Sequence, residues 1–140
     1  MNDDDLPLYW VLEGHTPVPV RDIRRWYEFS KSAEPRRVAE TYVGKVWLST
    51  VFLTLDHNWR GPNHPPVLFE TMVFGGGELN EAQMRYSTWE EAEAGHQDML
   101  EVVQAYVDRM QRYDSLRLHD RYLRFPKPKR APAWSPCSFL

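Results

Sequence analysis

A chain of 140 residues is long enough to bury one hydrophobic core and too short for two. At 42% hydrophobic and 26% charged its composition is that of a globular protein, and no apolar run approaches the length of a membrane span. Charge is unevenly divided: residues 1–111 hold 10 Lys/Arg against 18 Asp/Glu, a net −8, and residues 112–140 hold 7 against 2, a net +5, so the acidic body repels nucleic acid and leaves any such contact to the tail.

Aromatic residues make up 14% of the chain, six of them Trp, and carry much of the packing or line a binding surface. The one cysteine, Cys137, allows no intrachain disulfide, and the start MNDDDLPLYW is acidic where a secretory signal is basic. Both features point to a soluble protein of the cytoplasm.

In chain order, Leu8–Leu12 is a short run of strand formers that reads as an edge strand. His15–Pro19 is expected to run extended and irregular, because Pro17 and Pro19 fix φ and remove donors. A short helix is predicted from about Pro19, with Val20, Ile23, Trp26 and Tyr27 on its apolar face, ending within Ser30–Pro35. From Arg36 the period becomes strand-like, and Val43-Gly44-Lys45 turns the chain tightly into Lys45–Leu55, which is apolar on both faces and therefore a central strand. Asp56–Pro66 (DHNWRGPNHPP) is a loop by composition, Val67–Phe74 is the partner strand, and Arg85-Tyr86 either adds a short strand or leads into a helix.

The helix start is marked by Ser87-Thr88-Trp89-Glu90, a capping-box pattern in which the Ser87 hydroxyl and the Glu90 carboxylate satisfy each other's backbone amides. Ala92, His96, Met99, Val103, Tyr106, Met110 and Tyr113 then form one stripe that lies along the sheet. Gly95 beside the stripe implies close approach of the helix backbone to the sheet or a partner. Ser115–Phe125 fits a strand or a second helix, and Pro126–Pro136 is a basic, proline-rich extension. The predicted class is α+β: an antiparallel sheet of three to four strands, one long helix packed on a face and a short N-terminal helix, within a domain spanning 1–113 and followed by an extension over 114–140.

Chemistry is sought first at Asp56-His57-Asn58 and at Glu70. A carboxylate and an imidazole close together hold a metal or act as acid and base, although no HExxH, His-x-His or CxxC spacing is present, so no metal and no cofactor is expected. The structural reading is that Asp56 and Asn58 bond loop amides. Glu70 interrupts an apolar strand and needs a partner, for which Arg85, Lys45 and His57 are the candidates. His96 points at the sheet, either as a satisfied core residue or as a ligand-binding or pH-sensing one. Gly75-Gly76-Gly77 lacks the residues of a phosphate loop, and the helix after it opens with acids.

STVFLTLDHNW, VLFETMVFGG and RYSTWEEAEAGH, in that order and spacing, resemble a set of small uncharacterised bacteriophage and prophage proteins over Leu8 to Tyr106. The resemblance implies a phage or prophage origin and supplies no activity. Two functional expectations follow. One is a non-catalytic accessory protein that binds a host protein or sequesters a small ligand, countering host defence, with His57, Asn58, Trp59, Glu70, Arg85 and His96 as ligand-binding residues. The other is a small metal-dependent or acid–base hydrolase using Asp56, His57 and Glu70. The second apolar face of Lys45–Leu55 exceeds what the short helix covers, so a homo-oligomer or a partner is expected there.

Overall fold

The computed structural model describes residues 9–124, so the basic proline-rich extension and Cys137 lie outside the described residues. The fold is α+β. β1 (Tyr9–Glu13) and β2 (Thr16–Val20) form an antiparallel two-stranded sheet. The irregular course expected for His15–Pro19 is thereby corrected. Pro17 and Pro19 stand two residues apart, opposite Leu12 and Trp10, so both missing N–H groups fall on one edge and Thr16, Val18 and Val20 are left to carry the ladder.

α1 (Ile23–Ser30) begins later than the expected Pro19, because the Asp22 carboxylate accepts from the Arg24 and Arg25 amides and caps the helix there. Its packing face also differs from the expected one. Val20 belongs to β2, and Ile23 and Tyr27 are more than half exposed. Of the expected face Trp26 does pack, its Nε1–H donating to the Thr54 carbonyl at 3.2 Å, and it is joined by Phe29, edge-on to Phe52 with centroids 6.0 Å apart.

β3 (Arg37–Val43), β4 (Val46–Phe52), β5 (Phe69–Phe74) and β6 (Gln83–Tyr86) make a four-stranded antiparallel sheet in sequence order. Gly44, at φ 59°, opens the two-residue turn between β3 and β4, the place where Gly-X hairpins need a positive φ. Along the central β4, Val46, Leu48, Thr50 and Phe52 are buried, while Trp47, Ser49 and Val51 on the other face are half-buried. The buried face holds two apolar clusters, Phe52, Leu68, Phe69, Trp89 and Ala92 in one and Val46, Leu48, Val73 and Val103 in the other. Each large side chain so buried stabilises the fold by about 1.5–3 kcal/mol.

α2 (Trp89–Arg124) packs on that face through Ala92, His96 and Val103, all essentially inaccessible. Its capping box is shifted by one residue from the expected pattern: Thr88 Oγ1 accepts from the Glu91 amide at 3.1 Å, and Glu91 Oε2 accepts from the Ser87 and Thr88 amides at 3.0 and 3.3 Å. Between Val107 and Asp108 the chain divides into two compact units. In the second, α2 continues past the expected Tyr113 to Arg124, so the ambiguous segment from Ser115 is helical that far. Its residues are good helix formers, and no proline intervenes before Pro126.

Gly95 meets the Tyr86 ring so closely that an added Cβ would lie 2.1 Å from its Cζ and Oη. The close approach inferred from this glycine is therefore to the last residue of β6. Gly95→Ala is expected to destabilise the protein by about 1–3 kcal/mol through overpacking, in spite of alanine's better helix propensity. Tyr86→Leu, which removes the far end of the ring, should reduce that cost in the double variant. Chemical denaturation of the four proteins measures the coupling, and a Gly95→Ala variant as stable as the parent would refute the contact.

Candidate functional site

After β4 the chain passes through Thr54 at φ 66°, a left-handed conformation that a β-branched residue seldom takes. The Thr54 carbonyl accepts from the Trp10 amide at 2.9 Å and from Trp26 Nε1, so the N-terminal hairpin and α1 both hold this turn. Beyond it the Asp56–Pro66 loop is built by its own polar side chains. Asp56 Oδ1 accepts from the Asn58 amide at 2.7 Å and the Val67 amide at 2.9 Å, joining the two ends of the loop. Asn58 spans the interior: Nδ2 donates to the Gly61 and His64 carbonyls at 2.8 and 3.2 Å, and Oδ1 accepts from the Arg60 amide at 2.8 Å. His57, Trp59, Arg60 and His64 are left exposed.

The loop, β6 and the start of α2 line a half-open cavity of about 370 Å³. The loop contributes His57, Asn58, Trp59, Arg60 and His64, the sheet contributes Arg85 and Tyr86, and the helix start contributes Ser87 and Glu91. Four of the residues proposed from sequence as ligand-binding, His57, Asn58, Trp59 and Arg85, thus meet at one place. Sequence reasoning missed the other lining residues, of which Arg60 and His64 bring further polar groups to the cavity. The Arg60 guanidinium lies 5.5 Å from the Trp59 ring centroid, and a cation next to that tryptophan was the available signal.

Glu70 is opposite Arg85 in the β5–β6 register, and of its three candidate partners Arg85 is the one it takes, with Nε 2.8 Å from Oε2. The Glu70 side chain is only 14% exposed, which is why the pairing is needed. Both carboxylates of the hydrolase reading therefore have structural work, Asp56 on two amides and Glu70 on Arg85. Among the described residues no three His, Cys, Asp or Glu side chains group as metal ligands would.

His96 lies apart from the cavity-lining residues, 1% exposed between α2 and the sheet. Its Nδ1 is 2.7 Å from Thr50 Oγ1 and its Nε2 is 2.9 Å from Thr41 Oγ1, while Thr50 Oγ1 is 2.6 Å from Thr71 Oγ1. A neutral imidazole satisfies this arrangement, donating from one nitrogen and accepting at the other. Burial lowers its pKa from the ordinary 6.5.

On the sheet face opposite the two apolar clusters, Tyr42, Trp47 and Phe74 stand in register on β3, β4 and β5. Their rings are stacked, with centroids 6.3 and 4.7 Å apart, and Tyr42 is 64% exposed. Glu70 and Arg85 occupy the same face towards the other end of the strands. No helix of the described residues is long and apolar enough to cross a membrane. No protein-family model, no curated protein and no solved structure matches the chain.

With the folded pKa of His96 depressed below 6.5, the unfolded chain takes up the proton first. Stability due to the neutral imidazole is therefore full above that value and is lost as pH falls from it through the folded pKa. Denaturation midpoints measured from about pH 7.5 down to about pH 5.5 should decline in the parent and decline less in His96→Asn, which keeps a polar group near Thr50 and does not titrate. Equal slopes in the two proteins would refute a titrating role for His96.

Proposed function

We propose that this chain is a non-catalytic binding protein that sequesters a small ligand in the cavity under the Asp56–Pro66 loop. The observation that carries the reading is the division of roles inside the loop. Asp56 and Asn58 bind backbone, while His57, Trp59 and Arg60 present exposed side chains around a cavity of about 370 Å³ completed by Arg85. That volume is within the range of small-molecule sites, and the ligand meets a preformed wall. Glu70 serves the site by orienting Arg85, and His96 by fixing the helix that forms one wall. In keeping with the phage-like motifs we assign such a protein to the cytoplasm of an infected host, where removing a small molecule from solution would counter host defence.

The row Tyr42–Trp47–Phe74 favours a second activity, docking of a protein on the open sheet face, and we assign that face to a second copy of the chain in place of a host protein. A two-fold axis parallel to the strands lays β3 of one copy over β6 of the other. It sets Trp47 of one copy above Phe74 of the other, so the aromatic row packs against itself.

Native mass spectrometry of the full chain purified from expressing cells should show a bound small molecule that is released on denaturation and is absent from Trp59→Ala. Protein that carries no such mass, and whose melting temperature no metabolite extract raises, would overturn the sequestration reading. For the open face, sedimentation at micromolar concentration should give a dimer that Tyr42→Glu dissociates, and a monomeric parent would overturn that assignment.

A further inference from the structure

On the reading that the loop cavity holds a small ligand, we infer that this ligand is a phosphorylated aromatic compound of mononucleotide size, its ring on Trp59 and its phosphate between Arg60 and Arg85. Trp59 is 84% exposed although the backbone on both sides of it is fixed by Asp56 and Asn58. A large, flat apolar surface standing in water at the edge of a cavity, on a backbone bonded at both sides, is a stacking platform, since every heteroaromatic ring offers a face to it. Arg60 sits over that same ring and makes no ion pair among the described residues, so its charge is placed beside the stacking plane.

Arg85 closes the other side. Its Nε is taken by Glu70 at 2.8 Å, which fixes the guanidinium plane and leaves the two terminal nitrogens for an acceptor. A planar fork held in this way suits phosphate oxygens better than a flexible ammonium does. His57 and His64 add ring N–H donors on the loop side. The one acid lining the cavity, Glu91, has Oε2 bound to the Ser87 and Thr88 amides, so its charge is balanced by the helix start.

Size and charge set the upper limit. About 370 Å³ is near the lower end for small-molecule sites and fits one ring system with one phosphate. A polynucleotide would also face the net −8 of residues 1–111, whereas a single phosphate meets two local guanidiniums.

Isothermal titration of the full chain with AMP, adenosine and inorganic phosphate tests the inference. AMP should bind at least about tenfold more tightly than either fragment, because ring and phosphate are held by different groups. Arg60→Ala should lose about tenfold for AMP and keep the parent's affinity for adenosine, while Trp59→Ala should weaken both. Each residue is exposed, so thermal melts of the variants should match the parent and exclude misfolding. AMP binding no tighter than adenosine, or unchanged in both variants, overturns the inference. A native mass spectrum showing a bound molecule without phosphate overturns it while leaving sequestration standing, whereas no bound mass together with no AMP binding removes both.

Discussion

His96 ties the long helix to the sheet by direct bonds to threonine hydroxyls on two strands, one of which carries the link on to a third, and so sets the register of helix on sheet. Thr41, Thr50 and Thr71 belong to β3, β4 and β5, and a shift of α2 by one residue would take the imidazole off Thr41 and Thr50 and leave Thr71 bonded to Thr50 alone. A buried polar network of this kind specifies one arrangement because every alternative leaves donors or acceptors unmet in a low-dielectric interior. Gly95, next to His96, acts with it: the helix backbone comes so near Tyr86 that only glycine fits. With the helix fixed, its first turn fixes the cavity wall, since Glu91 ties down the amides of Ser87 and Thr88 directly after β6.

The loop opposite this wall gains its order differently. It contains no regular element and many turn residues, so its conformation depends on side chains that substitute for a backbone ladder. Asp56 and Asn58 provide five such bonds between them. The same groups that look catalytic in a sequence are the ones best suited to this task, because carboxylates and amides accept from several amides at once. The strained Thr54, held by Trp10 and Trp26, sets where the loop departs from the sheet.

Much of this was legible in the residues, and the reasons for the remainder are local. Alternation in β4, the Gly44 turn, the glycine approach at Gly95 and the need of Glu70 for a partner each follow from one dominant physical constraint, and each was found. β2 is hidden by its two prolines, which look like strand breakers until pairing shows that both missing donors fall on one edge of the strand. The capping box shifted by one because Ser87 and Thr88 are both competent N-caps and only the position of Glu91 decides between them. The face of α1 is only half legible: Trp26 packs as its period implies, but Ile23 and Tyr27, which fit the same period, stay exposed, and Phe29 reaches Phe52 in their place. Arg60 and His64 escaped notice for a similar reason: a cavity is made by segments that sequence order does not bring together.

Arg85 links the two surfaces of the protein. It stands on the open sheet face opposite Glu70, and it lines the loop cavity. Removing it therefore has two consequences that need to be kept apart. The cavity loses a guanidinium, and Glu70, at 14% exposure, is left as a largely buried carboxylate without its counter-charge, which is destabilising in its own right. Arg60 has no such second duty among the described residues, being held to the surface of Trp59 alone. The energetic weight of ligand recognition is thus read most cleanly at Arg60. At Arg85 the same measurement mixes recognition with the stability of the sheet and with the charge pattern that a second copy would meet, so a loss of binding there is not by itself evidence about the ligand.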